Sequence, residues 1–576
     1  MINKHRAKNV ADTPMTDILK DRHSSIPQGQ AVVEILIRKG IRHAVISSGS
    51  RNAPLTIGFS RSGIKCYSVI DERSAAFFAL GMAKETGRPV ALACTSGSAV
   101  LNYYPAVAEA YYSRIPLIVI SADRPAEIID QGAGQTIRQH GVLSAHTAYS
   151  TSLREGTDEK TLRYNAREIN TAFDKAVAES APVHINVPFS EPLYGTSSVT
   201  AFGDYREIET LPVENTLSQR AKDEISRIWN DAEKRMILVG VHKPDKRLES
   251  LLMSISRQSG AAVLSETTSN LHGECFVEKI DQAIIPSGQD TLRELAPELL
   301  ITAGGMVVSK KIKAILSSMS PKYHIHVNMY DFPDTFGCLT HKAQVSDCVF
   351  FSHIASLESE NTGYSGKWDG IKAERDVKHR EYLSHVPFSD LKVWEMLTSH
   401  IPENTTLEIS NSASIRYSQL FSLPSGISVS CNRGTSGIDG CTSTAAGVAA
   451  ASQNPVTLIT GDLSFMYDNN ALWNDYLPSS FRMIVINNHG GGIFRILDGS
   501  RKADECGRFL EARHELSVKY LAEMHSIEYA MANDEKNLKE TLATFWGESQ
   551  KARILEVFTP ADINGDILRG YFEYLK

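Results

Sequence analysis

Residues 456–492 read VTLITGDLSFMYDNNALWNDYLPSSFRMIVINNHGGG. Two short apolar runs, Val456–Thr460 and Met483–Ile486, flank a stretch in which a helix is expected over Asn469–Asp475. Apolar runs of this length joined through a helix read as parallel strands buried on both faces. The first run ends in Gly461-Asp462-Leu463-Ser464, the second in Asn487-Asn488-His489-Gly490. Ligands of open parallel sheets sit at the carboxyl ends of strands. Asp462 and Asn488, 26 positions apart, would thus aim a carboxylate and an amide oxygen at one point. Hard oxygen ligands with a single charge suit Mg²⁺ (or Mn²⁺) that keeps water and phosphate oxygens in its shell. The glycines after Asn488 let the backbone come close, and the Gly490 carbonyl is a candidate third ligand.

The same plan extends outward. Thr406–Ile409 runs into Asn411 and Ser412, beside the start of a helix, where backbone amides can meet a diphosphate. Val429–Cys431 runs into the loop Asn432-Arg433-Gly434-Thr435-Ser436-Gly437-Ile438. Such a loop alone is often a turn; in the sheet that carries the metal motif it points to a cofactor. Nearer the N-terminus, strands are expected at His43–Ile46, Val90–Cys94, Leu117–Ser121 and Val183–Val187, with helices over Ala31–Lys39, Ser74–Lys84 and Ser98–Tyr112. A run ending at Ile70 is followed by Asp71 and Glu72, so Glu72 falls between a strand end and a helix N-terminus. A middle set of strands is expected at Met236–Gly240, Ala262–Leu264, Leu299–Ile301 and His324–Val327. Polar stretches at 195–209 and 358–380 read as linkers. The expectation is three consecutive parallel-sheet α/β domains: 26–195, 210–357 and 381–576, after a flexible extension over 1–25.

Composition agrees with an ordinary globular chain. It has 576 residues, 42% of them hydrophobic and 22% charged, with a net charge of -7. No basic run supports nucleic-acid binding. The 8 cysteines are scattered with no CxxC pair, as in reduced thiols of a cytoplasmic protein. No apolar stretch nears the ~20 residues of a membrane span, and no P-loop (GxxxxGK[ST]) occurs.

Gly-Asp, then Asn-Asn about 26 residues on, matches the signature of thiamine-diphosphate-dependent enzymes, with Leu463 where the family usually has Gly. Further strings narrow the match: SGSRNAPL (48–55), DERSAAFFALGMAK (71–84), TSGSAVLNYYPA (95–106), SADRPAE (121–127), GQTIRQ (134–139), CNRGTSGIDG (431–440), GDLSFMYDNNAL (461–472) and NNHGGGIF (487–494). Nearly the whole chain from about residue 27 resembles the branch of this family that acts in menaquinone biosynthesis.

The resemblance implies a transferase that decarboxylates 2-oxoglutarate on thiamine diphosphate and adds the succinyl unit to isochorismate by 1,4-addition. Glu72 would be the carboxylate that activates the cofactor through its pyrimidine ring, and Gln135 would lie over the reacting carbons. Asn411, Ser412, Gly434, Ser436, Ile438, Asp462, Leu463, Ser464, Asn488, Gly490 and Ile493 would hold the cofactor, with Ile438 propping its bent shape. Asp462, Asn488 and Gly490 would hold the metal. Arg416 and Arg433, with Asn411 and Ser412, would take the distal carboxylate of the succinyl unit. Ser50, Arg51 and Arg124 would take isochorismate, with Lys310 and Lys311 closing from the middle domain and Phe494 lining the site. Two further positions depart from the pattern: Lys311, where Arg is usual, and Gly134, where Asn is expected. The glutamate and the diphosphate site lie in separate domains, so the resemblance implies a homodimer or homotetramer with active sites between subunits.

Overall fold

The computed structural model describes residues 23–576 except 201–207, 425, 497, 498, 500 and 501. Nearly all of the expected extension, and residues 201–207 of the first expected linker, lie outside the described residues. The last residues assigned to that extension, His23–Ser24, instead form a short strand antiparallel to Thr196–Ser197.

Three parallel six-stranded sheets follow one another along the chain. The first contains His43–Ile46, Lys65–Ser68, Val90–Cys94, Leu117–Asp123, Tyr149–Ser152 and Val183–Pro188. The second contains Arg235–Val239, Ala262–Ser265, Phe276–Val277, Leu299–Ala303, Tyr323–Val327 and His341–Ala343. The third contains Thr406–Ile409, Ser428–Ser430, Val456–Gly461, Arg482–Asn487, Glu528–Ala532 and Arg553–Phe558. Counted within each sheet in chain order, the first and third are both ordered 2-1-3-4-6-5, whereas the second is 3-2-1-4-5-6. In the third sheet the order reverses between Thr406–Ile409 and Val456–Gly461. The loops carrying Ser412 and Asp462 therefore leave adjacent strands in opposite directions and open the crevice in which such sheets bind ligands.

Central strands match the apolar runs because they are buried on both faces. The strands at Tyr149–Ser152, Phe276–Val277, His341–Ala343 and Glu528–Ala532 carry no such run. They lie at or near sheet edges, and Glu528–Ala532 buries one residue fully. Three other expectations change. The helix over Ser98–Tyr112 is split into Ala99–Asn102 and Tyr104–Tyr112, because Pro105 lacks the N–H that a continuous helix needs. The helix over Asn469–Asp475 is replaced by Asp462–Tyr467 and a 3₁₀ turn Asn469–Leu472, so Asp462 itself opens a helix. The charged stretch 358–380 is no bare linker: it contains the helix Tyr364–Leu383. Tyr364 and Trp368 pack into the middle core, while Arg375 and His379 reach the C-terminal helix, where His379 Nδ1 lies 2.7 Å from the Tyr571 hydroxyl. One buried face among many charges makes this helix a strut.

The first and third sheets share a continuous core. Its axis is the crossing of helices Glu72–Thr86 and Cys441–Ala451. A Cβ on Gly81 would stand 2.0 Å from the Thr444 carbonyl oxygen, and one on Gly447 2.0 Å from that of Phe78. Two glycines therefore set the approach that joins the Glu72 element to the sheet bearing Asp462.

Candidate active site

Asp462 and Asn488 stand at the same end of the adjacent parallel strands Val456–Gly461 and Arg482–Asn487. Both are buried, at 2% and 6% exposure. The Asp462 carboxylate accepts the Leu463 N–H at 2.7 Å and the Gly490 N–H at 2.9 Å. Gly490 has φ +139, and a Cβ there would meet the Glu511 carbonyl at 2.7 Å, so only glycine brings its backbone this close. Asn488 Oδ1 is buried with no hydrogen-bond partner. Among the described residues no group of three or more His, Cys, Asp or Glu side chains could hold a metal. The oxygens of Asp462, Asn488 and Gly490 instead form a hard, singly charged set that fits a divalent cation sharing diphosphate oxygens.

Left-handed backbone occurs at three of the expected site residues and at His489. Gln135, Ser412, Ser436 and His489 have φ of 55°, 72°, 61° and 62°. Left-handed conformations of non-glycine residues persist where surrounding structure imposes them, and they cluster at ligand sites. Ser464 Oγ donates to the Ile438 carbonyl at 2.8 Å, tying the metal loop to the glycine-rich loop. Ile493 is buried, and Phe494 packs its ring over Gly491.

Two expected cofactor contacts have other partners. The Gly434 N–H donates to Glu109 at 2.7 Å, and Thr435 donates both its N–H and its hydroxyl to the same carboxylate. A buried carboxylate of the first domain thus takes the backbone N–H of Gly434, a residue expected to hold the cofactor. A Cβ on Gly434 would lie 2.5 Å from the Glu109 carbonyl, so this glycine serves domain packing. Asn411 is also spoken for: its Nδ2 donates to the carbonyls of Asn432 and Gly437, and its Oδ1 accepts from Arg433 at 2.8 Å. It staples the loop.

The arginines form two opposed pairs. Burial first, and repulsion by Arg433 second, hold the Arg416 guanidinium below its ordinary range despite Asp281 nearby. Arg416 Nη1 and Arg433 Nε are buried without partners. At the end of the first sheet, burial and Arg124 lower Arg51 likewise, and the Nε atoms of both residues are unpartnered. Arg51 is otherwise held by the Phe189 carbonyl at 2.8 Å and Glu191 at 3.1 Å. Ser50 is exposed, its hydroxyl 2.8 Å from that of Tyr194. Gln135 is exposed, its backbone against Gly97. Like-charged pairs with buried, unmatched donors are seats for anions.

Lys310 and Lys311, both exposed, begin the helix Lys310–Met319, capped by Ser309. Several of their neighbours carried no motif. Buried Glu266 accepts the N–H groups of Val308 and Ser309 at 2.6 and 2.7 Å. Burial pushes its carboxyl up to about 7 against these bonds. Next to it, Thr267 bonds Gln419 and Ser418, at the end of the short helix that bears Arg416. The turn 266–270 therefore sets the spacing between the lysines and the arginines. Lys313, half-buried near Glu266, is lowered by burial and by Arg433 and Lys310, the carboxylate opposing. His514 Nε2 lies 3.3 Å from Asp462 Oδ2. A sequence pattern could not find these residues, because each acts through contacts across domains or far along the chain.

Glu72 is the first residue of helix Glu72–Thr86, and Asp71 caps that helix by accepting the Ser74 N–H at 3.0 Å. Glu72 Oε2 accepts from Asn102 Nδ2 at 3.2 Å. Nearby, a cavity of about 360 Å³ has a mainly polar lining that includes Ser68, Asn474, Asp475 and His525, with the exposed side chains of Ile70, Trp473 and Met524 beside them.

Comparison with known proteins adds to this geometry. The family model described as "Thiamine pyrophosphate enzyme, N-terminal TPP binding domain" matches residues 28–142, the span holding Glu72. A 2-succinyl-5-enolpyruvyl-6-hydroxy-3-cyclohexene-1-carboxylate synthase of Flavobacterium psychrophilum is 48% identical over 562 residues, covering 96% of this chain and 100% of its own. The protein of the same name from Christiangramia forsetii is 45% identical over 579 residues, again covering 96% and 100%. The chain belongs to the 2-succinyl-5-enolpyruvyl-6-hydroxy-3-cyclohexene-1-carboxylate synthase family. Members of this synthase family are thiamine-diphosphate enzymes, so thiamine diphosphate is the cofactor of this chain. The fold is shared more widely: benzoylformate decarboxylase from Polynucleobacter necessarius aligns with a TM-score of 0.71 over 94% of this chain and 99% of its own, at 13% identity. No described helix is long and apolar enough to cross a membrane.

Proposed function

We propose that this chain joins 2-oxoglutarate to isochorismate with loss of carbon dioxide, giving 2-succinyl-5-enolpyruvyl-6-hydroxy-3-cyclohexene-1-carboxylate for menaquinone biosynthesis. The observation that carries this reading is the two like-charged arginine couples, Arg416 with Arg433 and Arg51 with Arg124, each member of which keeps one buried nitrogen without a partner. A donor with a second carboxylate needs the first couple, and an acidic acceptor needs the second. Arginine's planar fork suits both.

Bound thiamine diphosphate supplies the nucleophilic carbon and the electron sink for decarboxylation. Asp462, Asn488 and Gly490 would hold Mg²⁺ or Mn²⁺ by oxygen. Ser412, Ser436, Ile438, Leu463, Ser464 and Ile493 would line the cofactor cleft, and Asn411 would hold that cleft's shape. Glu72 would hold a proton at the pyrimidine nitrogen. Arg416 and Arg433 would orient the donor's distal carboxylate. Ser50, Arg51 and Arg124 would hold the acceptor, and Lys310 and Lys311 would neutralise its charge as the new bond forms. Gln135 and Phe494 would border the reacting carbons. Working domain boundaries are 26–195, 210–357 and 381–576. A homodimer or homotetramer with active sites between subunits is the expected assembly, and the exposed large apolar side chains Ile70, Trp473 and Met524 are candidates for contact with a second copy. A cytoplasmic location follows from substrates that are soluble metabolites.

One assay tests the reading. Purified protein with Mg²⁺, thiamine diphosphate, 2-oxoglutarate and isochorismate is followed for carbon dioxide and product mass together. A succinyl adduct of isochorismate supports it. Carbon dioxide without the adduct removes the acceptor, and neither signal from folded, cofactor-bound protein removes the proposal.

A further inference from the structure

Asn488 is bound on every side but one. Its Nδ2 donates to Asp390 Oδ2 at 2.8 Å, and its backbone carbonyl accepts from Arg495 Nη1 at 3.2 Å. A Cβ on Gly492 would stand 2.6 Å from Nδ2, so the backbone crowds the amide there. Its Oδ1 alone is buried and unpartnered. Leaving a buried acceptor unmatched is costly, and native structures keep such atoms where an ion or function claims them.

Asp390 decides which way the amide faces. It is 3% exposed and opens the helix Asp390–Thr398. Its Oδ1 accepts from Thr559 Oγ1 at 2.6 Å, and its N–H donates to Asn564 Oδ1 at 2.8 Å. The carboxylate is therefore fixed by groups near the end of the last strand, Arg553–Phe558, and beyond it. An inverted Asn488 amide would set its oxygen against Asp390 Oδ2, two acceptors face to face with no proton between them. The orientation that leaves Oδ1 free is the one Asp390 permits.

We infer that Asp390 is a positioning residue for the divalent metal: it holds the Asn488 amide with Oδ1 turned toward the ion. This rests on the metal reading given above. Outer partners that orient a ligand are worth about 10–100-fold in metal affinity. The role is one of orientation, so an amide that still accepts from Asn488 Nδ2 can replace the carboxylate. In Asp390→Asn the Asn oxygen accepts, and its NH₂ can donate to Thr559 Oγ1, which is itself able to accept.

The test titrates Mn²⁺ into protein with saturating thiamine diphosphate and no substrate, reading free Mn²⁺ by electron paramagnetic resonance. Unfolding midpoints are recorded for each variant without metal. Asp390→Ala is expected to weaken Mn²⁺ binding about 10–100-fold, while Asp390→Asn stays within about threefold of the native chain. A folded Asp390→Ala with native affinity overturns the inference, as does an Asp390→Asn weakened tenfold or more. If the alanine variant does not fold, the asparagine variant alone decides by the same threshold. A native chain that binds cofactor but no Mn²⁺ overturns the metal reading and this inference together. Native binding with an unaffected alanine variant overturns this inference alone.

Discussion

Arg416→Met should move stability and substrate binding in opposite directions. Arg416 is largely buried and makes no hydrogen bond through Nη1. Burial first, and Arg433 second, disfavour its charge, and Asp281 compensates in part. Methionine fills similar volume without a donor to satisfy or a like charge to oppose. Relieving an unsatisfied buried group is worth about 1–3 kcal/mol, and exchanges of buried charge for apolar volume often stabilise. The ligand-free variant should therefore unfold at higher urea than the native chain. Removing one partner of a buried, charge-assisted contact costs about 2–4 kcal/mol, so KM for 2-oxoglutarate should rise roughly 30-fold to 1000-fold. Turnover at saturating donor should change far less, because Arg416 would bind a carboxylate remote from the reacting carbon. The assay pairs urea unfolding without ligands with initial rates over a donor series. A lowered unfolding midpoint would show that Arg416 is a structural ion-pair partner of Asp281. An unchanged KM would remove it from the donor site.

Three other outcomes follow from the same geometry. Glu72→Gln should lower kcat by about 10²–10⁴-fold with an unaltered unfolding midpoint, because Glu72 accepts one long bond from Asn102; near-native turnover would exclude the role. Gly447→Ala gains about 1 kcal/mol in helix propensity, yet its Cβ would sit 2.0 Å from the Phe78 carbonyl oxygen. The helices must part, at a cost of about 1–3 kcal/mol or more, so denaturant unfolding should begin earlier, and a stabilised variant would refute the crossing. For Glu266 the folded carboxyl is raised from 4.5 to about 7, so the native state holds the extra proton between those values. Stability contributed by that proton is present below pH 4.5 and is lost as pH rises through about 7. Unfolding midpoints measured from pH 5 to 8 should fall for the native chain and flatten in Glu266→Gln; equal slopes would reject the assignment.

The chain's own pattern determined the repeated strand-and-helix plan, because strands covered on both faces must be continuously apolar. Asp462 and Asn488 were legible for a related reason: chemistry at a strand end leaves its residues next to an apolar run. Edge strands such as Glu528–Ala532 carried no such signal, since one side of the sheet edge needs no apolar partner. The helix Tyr364–Leu383 was hidden because its few buried residues are spread among charges. What tertiary structure decided was the partner of each polar group. Gly434 looked like a cofactor contact, but its N–H is taken by Glu109, 325 positions away. Asn411 looked like a ligand, and its amide is consumed by its own loop. Asp390 had no motif at all, yet it turns the Asn488 amide across 98 positions. Hydrogen bonds saturate, so a group's chemistry depends on which neighbours reach it first, and chain order does not encode that.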